Sequence, residues 1–347
     1  MNVFIGVDVS LASSAVCILG EGGKIIKEAK IDSEPEAFVS FMQGLPHEIP
    51  GIGLEAGPLS QWLYKVLTDA GLPTVLMETR RVKKALEAMP LKTDRRDAEG
   101  IAHLLQLGWY SAVHCKSVTA QETRAVLTAR DALKKAIISM ELSVRGILRN
   151  FGLKMGRIPK QRYNERVREL IDGIPMLEAM ALPVLRARAD LRKELAGLEK
   201  LVRNMARRDP VCCKLMTMPG VGPVIALTYR AAVDDPIRFR RSKDIGPWVG
   251  LTPKRDESGE RSVTGPISKT GDAGLRCALY QAANAMLNCG SENWLKTWTQ
   301  QLAEKCGNRK KAKVALARRI GVVLHRMWVD GTDFQTTRDE ALALRAA

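Results

Sequence analysis

The sequence predicts an α/β domain at the N-terminus followed by an all-α remainder, and three observations carry that division. Strand and helix signals alternate through the first hundred residues, the apolar spacing turns helical from about residue 119, and the charge changes sign between the two parts. Residues 1 to 115 hold 11 basic and 14 acidic side chains, net −3, whereas residues 116 to 347 hold 43 and 24, net +19. A surplus of that size points to a polyanionic partner, most often nucleic acid, engaged mainly by the second part. With 347 residues and 46% apolar content the chain can bury a large core, and its length suggests two or three domains. The boundaries read as an α/β domain with a trailing helix over 1–150, a basic linker and coiled coil over 151–209, and a helical C-terminal domain over 210–347.

NVFIGVDVS (2–10) is a short run rich in β-branched residues and opens the chain as a strand. AVCILGEGGKIIKEAKI (15–31) reads as a hairpin, because two apolar runs flank a turn at Glu21-Gly22-Gly23. GIGLEAG (51–57) and PTVLMETR (73–80) are short continuous apolar runs, the pattern of strands covered on both faces. Between them SQWLYKVLTDAG (60–71) has helical spacing and a glycine stop. Three early strands, then helix, strand, helix, strand and a closing helix is the order of a ribonuclease H-like domain.

From 119 to 149 Leu133, Ile137, Met140, Val144 and Leu148 form one stripe of a long amphipathic helix. Arg130, Lys134, Lys135, Arg145 and Arg149 fall mostly off that stripe, a basic face that serves equally as solvated surface or as DNA contact. A Gly/Pro-punctuated basic stretch follows, FGLKMGRIPKQRY (151–163). Leu191, Leu195, Leu198, Val202 and Met205 then recur at the 4, 3, 4, 3 spacing of a coiled-coil seam, which closes either an oligomer or an intrachain helical hairpin. MPGVGPVIA (218–226) resembles a helix-hairpin-helix element, whose turn amides near Gly220 and Gly222 point at a phosphate; a plain capping turn is the alternative. GLTPKRDESGERSVTGPISKTG (250–271) reads as a polar loop bearing Lys254, Arg255 and Lys269. Helical runs follow at 273–287 and at NRKKAKVALARR (308–319), whose Arg309, Lys310 and Lys311 complete the nucleic-acid-binding candidates.

Several chemistries lose their footing on residue type alone. The seven cysteines, Cys17, Cys115, Cys212, Cys213, Cys277, Cys289 and Cys306, form no CxxC pair and match no histidine spacing, so neither zinc nor a disulfide framework is expected. No signal peptide opens the chain and no apolar run approaches the roughly 20 residues of a membrane span, so a cytoplasmic protein is expected. The four histidines, His47, His103, His114 and His325, are scattered and offer no Ser-His-Asp set.

The carboxylates are ordered. Asp8 closes the first strand and Glu55 a later buried strand, so both reach one edge of the same sheet. In LKTDRRDAEG (91–100) Asp94 and Asp97 stand three positions apart and share one face of a following helix. Four converging carboxylates repel one another unless cations join them, and oxygen-only ligands suit a hard divalent ion such as Mg²⁺. Two such ions about 4 Å apart clamp a phosphodiester between its attacking and leaving oxygens.

On IGVDVS, IGLEAG and KTDRRDA, followed far downstream by PGVGP and GLTPKRDESG…ISKTG…LR, the chain resembles the DEDD transposases of the insertion-sequence one-ten family, bridge-RNA-guided recombinases related to the Piv DNA invertases. The resemblance covers roughly residues 1–115 and 210–290. It implies a RuvC-like domain whose acidic tetrad maps onto Asp8, Glu55, Asp94 and Asp97 and takes Mg²⁺ or Mn²⁺. It implies a C-terminal transposase domain with a nucleophilic serine after the GLTP motif, and the matching residue is Ser258. It further implies transposition through a phosphoserine link to double-stranded donor and target DNA, guided by a noncoding RNA. Family members assemble as dimers of dimers with shared active sites, working at the bacterial nucleoid. The residues alone leave Ser262 and Ser268 open as nucleophiles. They also leave open a RuvC-like endonuclease, such as a junction resolvase, in which the carboxylates activate water. A sugar-kinase or actin-like reading fits poorly, because Val9, Ser10 and Leu11 follow Asp8 where a glycine-rich phosphate turn would stand.

Overall fold

The computed structural model describes residues 1–87, 92–258, 261–288 and 291–337. It divides into two compact units, Met1–Lys116 and Ser117–Ala347.

The first unit is a five-stranded sheet between helices. Its elements run β1 (Asn2–Asp8), β2 (Ser13–Gly20), β3 (Ile25–Asp32), α1 (Pro35–Gln43), β4 (Glu48–Glu55), α2 (Ser60–Asp69), β5 (Thr74–Met77), α3 (Thr79–Leu86) and α4 (Asp94–Gln106). The sheet order is β3-β2-β1-β4-β5, with β1–β2 and β2–β3 antiparallel and β1–β4 and β4–β5 parallel. Along the chain the elements follow the expected order except that α3 precedes the closing helix, and the sheet is consistent with a ribonuclease H-like domain. β1 is apolar on both faces because it sits at the centre. Val3, Ile5 and Val7 pack with Phe38, Met42, Leu63 and Leu67 of α1 and α2, while the opposite face receives α4. β3 is an edge strand, and its Lys27, Glu28 and Lys30 suit that place.

The second unit is mostly helical: α5 (Val118–Asn150), α6 (Tyr163–Ile171), α7 (Pro175–Arg208), α8 (Pro210–Leu215), α9 (Pro223–Val233), α10 (Ile245–Trp248), β6 (Pro253–Ser258), β7 (Arg261–Ile267), α11 (Ala273–Asn288), α12 (Trp294–Cys306) and α13 (Arg309–Asp330). α5 packs on α7 and α9. Arg130 pairs with Glu199 and Glu141 with Arg188, so partners move eleven residues forward on α5 and eleven back on α7, which makes the pair antiparallel. Arg188, 3% exposed, rivets its far end. Its guanidinium donates to Glu141 Oε1 at 2.6 and 2.8 Å and to Asn164 Oδ1 at 2.8 Å, and lies over the Tyr163 ring. A second core gathers α8, α9, α11 and α13 around Tyr229, whose hydroxyl donates to the Gly321 carbonyl at 2.7 Å.

Three stretches that the sequence left open or read as irregular take definite form. The seam residues Val202 and Met205 pack with Val126 and Leu127 of α5 inside the chain, so this stretch belongs to an intrachain hairpin. The stretch expected as a basic linker contains α6, whose Tyr163, Val167 and Ile171 are buried with Val144 and Leu148. Residues 253–267 are not loop but the two-stranded ribbon β6–β7, so the C-terminal part is not all-α. Every residue of β6 is exposed, and a ribbon with no buried face carries no period-2 apolar alternation to betray it.

Candidate active site

Strand register sets the first pair of carboxylates. β1 and β4 are parallel neighbours in which Val7 stands beside Leu54, so the next residue of each, Asp8 and Glu55, emerge together at the same sheet edge. Two glycines place the second pair. Gly6 and Gly53 stand side by side in the same ladder, beneath α4. A Cβ on Gly6 would lie 2.1 Å from the Ala98 carbonyl oxygen and 2.4 Å from the Ala102 nitrogen; one on Gly53 would lie 2.7 Å from Met77 and 3.0 Å from Ile101. The bare strip lets the α4 backbone lie on the sheet, with Ala98, Ile101 and Ala102 fully buried. Thr93 caps the helix by accepting from the Arg96 amide, and Asp94 and Asp97 occupy its first turn. Carboxylates there also complement the helix dipole, a structural reason that applies to each of them singly.

Electrostatics shows which of the four sense one another. Burial first, then Asp97 and Asp94, push the Asp8 carboxyl up to about 6. Burial, then Asp8 and Asp97, raise Glu55. Lys92 opposes both shifts. Arg95, between the two aspartates in sequence, is paired with Glu28 on β3. Among the described residues no three acids, histidines or cysteines are drawn together closely enough to hold an ion as they stand. The donor set nevertheless suits a hard divalent cation: it is all oxygen, and its Asp8 and Glu55 members are half-buried and raised by burial and by neighbouring carboxylates.

Ser258 is the last residue of β6 and pairs with Arg261 across the ribbon tip; Gly259 and Glu260 lie outside the described residues, as does Cys289. The three candidate serines differ. Ser262 Oγ donates to Glu257 at 3.4 Å and Ser268 Oγ shares a 2.9 Å hydrogen bond with Thr270, whereas Ser258 Oγ has no hydrogen-bond partner among the described residues. Of the histidines, His325 is buried against Ser242 and the Pro236 carbonyl and is occupied structurally.

Lys254 and Arg255 lie on the exposed β6, and Arg255 is 3.6 Å from Glu257. Lys269 follows β7 in a left-handed conformation, φ 55°. Arg309, Lys310 and Lys311 form the exposed first turn of α13, where three cations oppose the helix dipole and so favour an anionic neighbour. Gly220 has φ 84°, and a Cβ there would lie 2.5 Å from the Ala282 carbonyl of α11, so helix packing alone requires this glycine. Gly222 has open space and caps α9. Sequence reasoning missed Gly6 and Gly53. The signal was present, since a glycine inside an apolar strand marks close approach of another backbone.

Comparison with known proteins places both ends of the chain. A family model for IS110-type DEDD transposases matches residues 5–152, and one described as transposase IS116/IS110/IS902 family matches residues 212–299. The transposase for insertion sequence element IS1111A of Coxiella burnetii is 29% identical over 327 residues, covering 92% of this chain and 88% of that protein. The transposase for insertion sequence element IS1328 of Yersinia enterocolitica is 26% identical over 237 residues, covering 68% and 70%.

Proposed function

We propose, from the premise that this chain belongs to the IS116/IS110/IS902 family of transposases, enzymes that cleave and rejoin DNA, that it recombines a mobile element through a covalent Ser258–DNA intermediate. The observation that carries the reading is the meeting of Asp8 and Glu55 at one sheet edge with their carboxyls raised by burial and by Asp97. A phosphate-processing cation is what such a set favours over mutual repulsion. Asp8, Glu55, Asp94 and Asp97 would hold Mg²⁺ or Mn²⁺, which when bound supplies charge neutralisation at a phosphodiester.

Ser258 Oγ attacks the phosphorus and forms an ester bond, the bond from phosphorus to one deoxyribose oxygen breaks, and that oxygen leaves as a hydroxyl with the proton given up by the serine. The phosphodiester energy is kept in the phosphoserine, so a deoxyribose hydroxyl from another end can reverse the step and restore the serine. Among the described residues Ser258 Oγ has no hydrogen-bond partner whereas Ser262 and Ser268 are occupied, which supports this choice among the three serines. The basic surplus of residues 116–347 supports phosphate contacts through Lys254, Arg255, Lys269 and Arg309–Lys311, with the Gly222 turn as a further amide donor. A noncoding guide RNA and a homo-oligomer between dimer and tetramer belong to the same proposal. Among the described residues no helix is long and apolar enough to cross a membrane.

The test is a denaturing gel of protein incubated with element-end and target DNA, guide RNA and Mg²⁺. A protein-linked DNA band is expected, absent in Ser258→Ala and retained in Ser262→Ala and Ser268→Ala. Cleavage by Ser258→Ala at the parental rate with no adduct would replace the proposal with a RuvC-like nuclease that uses water.

A further inference from the structure

The helical part of the second unit holds a basic concavity that the catalytic reading does not use. Arg145 and Arg149 stand one turn apart near the end of α5. The chain then turns back through Gly152 (φ 75°) and Gly156 (φ 66°), so that Lys154, Met155 and Gly156 close a cavity of about 390 Å³ with the two arginines. Met155, 6% exposed, is rooted in the cluster of Val144, Leu148, Tyr163 and Val167, which gives the cavity a fixed apolar floor. Arg145 is half-buried, while Arg149 and Lys154 are exposed.

These three cations share one hollow whose lining holds no acid. Close by, Arg162 and Arg166 pair with Glu165 and Glu169, and Arg188 and Arg130 pair with Glu141 and Glu199. Among the described residues none of Arg145, Arg149 and Lys154 enters an ion pair. A cation in the last turn of α5 complements the helix dipole, which accounts for Arg149 alone. Three unneutralised charges around one hollow repel each other until an anion enters it. Two guanidinium forks and an ammonium offer the directed and point-charge donors that suit phosphate oxygens.

We propose that this hollow is a clamp for the phosphodiester backbone of duplex DNA, built from residues other than the acidic tetrad and the β6–β7 ribbon. DNA is named as occupant because cleaving and rejoining DNA is the family's activity; the clamp does not depend on Ser258 being the nucleophile. It fixes the helical hairpin on the substrate without reading sequence, as backbone contacts do.

The experiment measures duplex binding by fluorescence anisotropy between 50 and 400 mM salt, in EDTA and in a Ser258→Ala background, so that neither metal nor covalent chemistry contributes. The triple variant Arg145→Gln/Arg149→Gln/Lys154→Gln is expected to flatten the slope of log affinity against log salt by about 2.7, about 0.9 for each phosphate no longer neutralised. The double variant of the exposed Arg149 and Lys154 should flatten it by about 1.8 and guards against misfolding of the triple. A control that removes the exposed Lys193, Lys200 and Arg203 of α7 should keep the parental slope. An unchanged slope in the triple and double variants, or equal flattening in the control, overturns the proposal. Flattening seen with a hairpin RNA but not with duplex DNA also overturns it. Failure of the adduct assay with the slope change intact would refute the serine and leave the clamp standing.

Discussion

Replacing Gly6 by alanine tests the placement of the acidic tetrad through a residue that carries no charge. The new Cβ would sit 2.1 Å from the Ala98 carbonyl oxygen and 2.4 Å from the Ala102 nitrogen, where ordinary contact begins at 3.4 Å. Both clashing atoms belong to the α4 backbone, so no side chain can turn aside. The helix must retreat by about 1.3 Å or the strand must bend, and forced overpacking of this kind destabilises by about 1–3 kcal/mol. The same retreat carries Asp94 and Asp97 away from Asp8 and Glu55, and a misplacement of about 1 Å at a reacting centre reduces rate on the order of 100-fold. Urea unfolding gives the first quantity and the strand-cleavage rate the second. Gly22→Ala, where a Cβ meets nothing within 4 Å, is the matched control and should stay within about 0.5 kcal/mol of the parent. Parental stability and parental cleavage in Gly6→Ala would refute the claim that this glycine seats α4 and its aspartates.

Two further variants test the charges that the fold gathers. Asp8 is raised from 3.8 to about 6, so its ionised form opposes folding: without divalent ions, its contribution to stability is greatest in acid and falls as pH rises from about 4 to about 6. Asp8→Asn should therefore melt above the parent at pH 8 and with it at pH 3.5; in the parent alone a divalent cation should recover the difference at pH 8, and equal melting of the two apoproteins at pH 8 would contradict this. Arg188→Ala leaves Glu141, Asn164 and the Lys160 carbonyl without their donor in a closed helix junction. Removing one partner of a buried pair destabilises by about 3–5 kcal/mol, read by chemical denaturation, and a drop below about 1 kcal/mol would mean the network contributes little.

The positions of Asp8, Glu55, Asp94 and Asp97 in their elements were legible because each sits where local pattern is strong. Asp8 and Glu55 end continuous apolar runs, and Asp94 and Asp97 follow a threonine cap at helical spacing. Their electrostatic partners were not legible, since Glu28 is 67 residues from the Arg95 it captures and only the β2–β3 pairing brings it near. The β6–β7 ribbon was hidden for a related reason: β6 is solvated along its whole length, so hydrophobic periodicity is silent while backbone pairing still forms. The heptad spacing at 191–205 cannot say whether the partner helix belongs to the same chain. Here α5 supplies it, in a register fixed by the Arg130–Glu199 and Glu141–Arg188 pairs.

The most direct test of the central claim is the site of attachment. DNA-linked protein recovered from the cleavage reaction is digested with protease and nuclease, and the peptide bearing the residual nucleotide is sequenced by mass spectrometry. The predicted result is a phosphodiester on Ser258, within the segment between Arg255 and Arg261. A nucleotide on any other residue, or cleavage that yields free DNA ends and no linked peptide at any time, would contradict it.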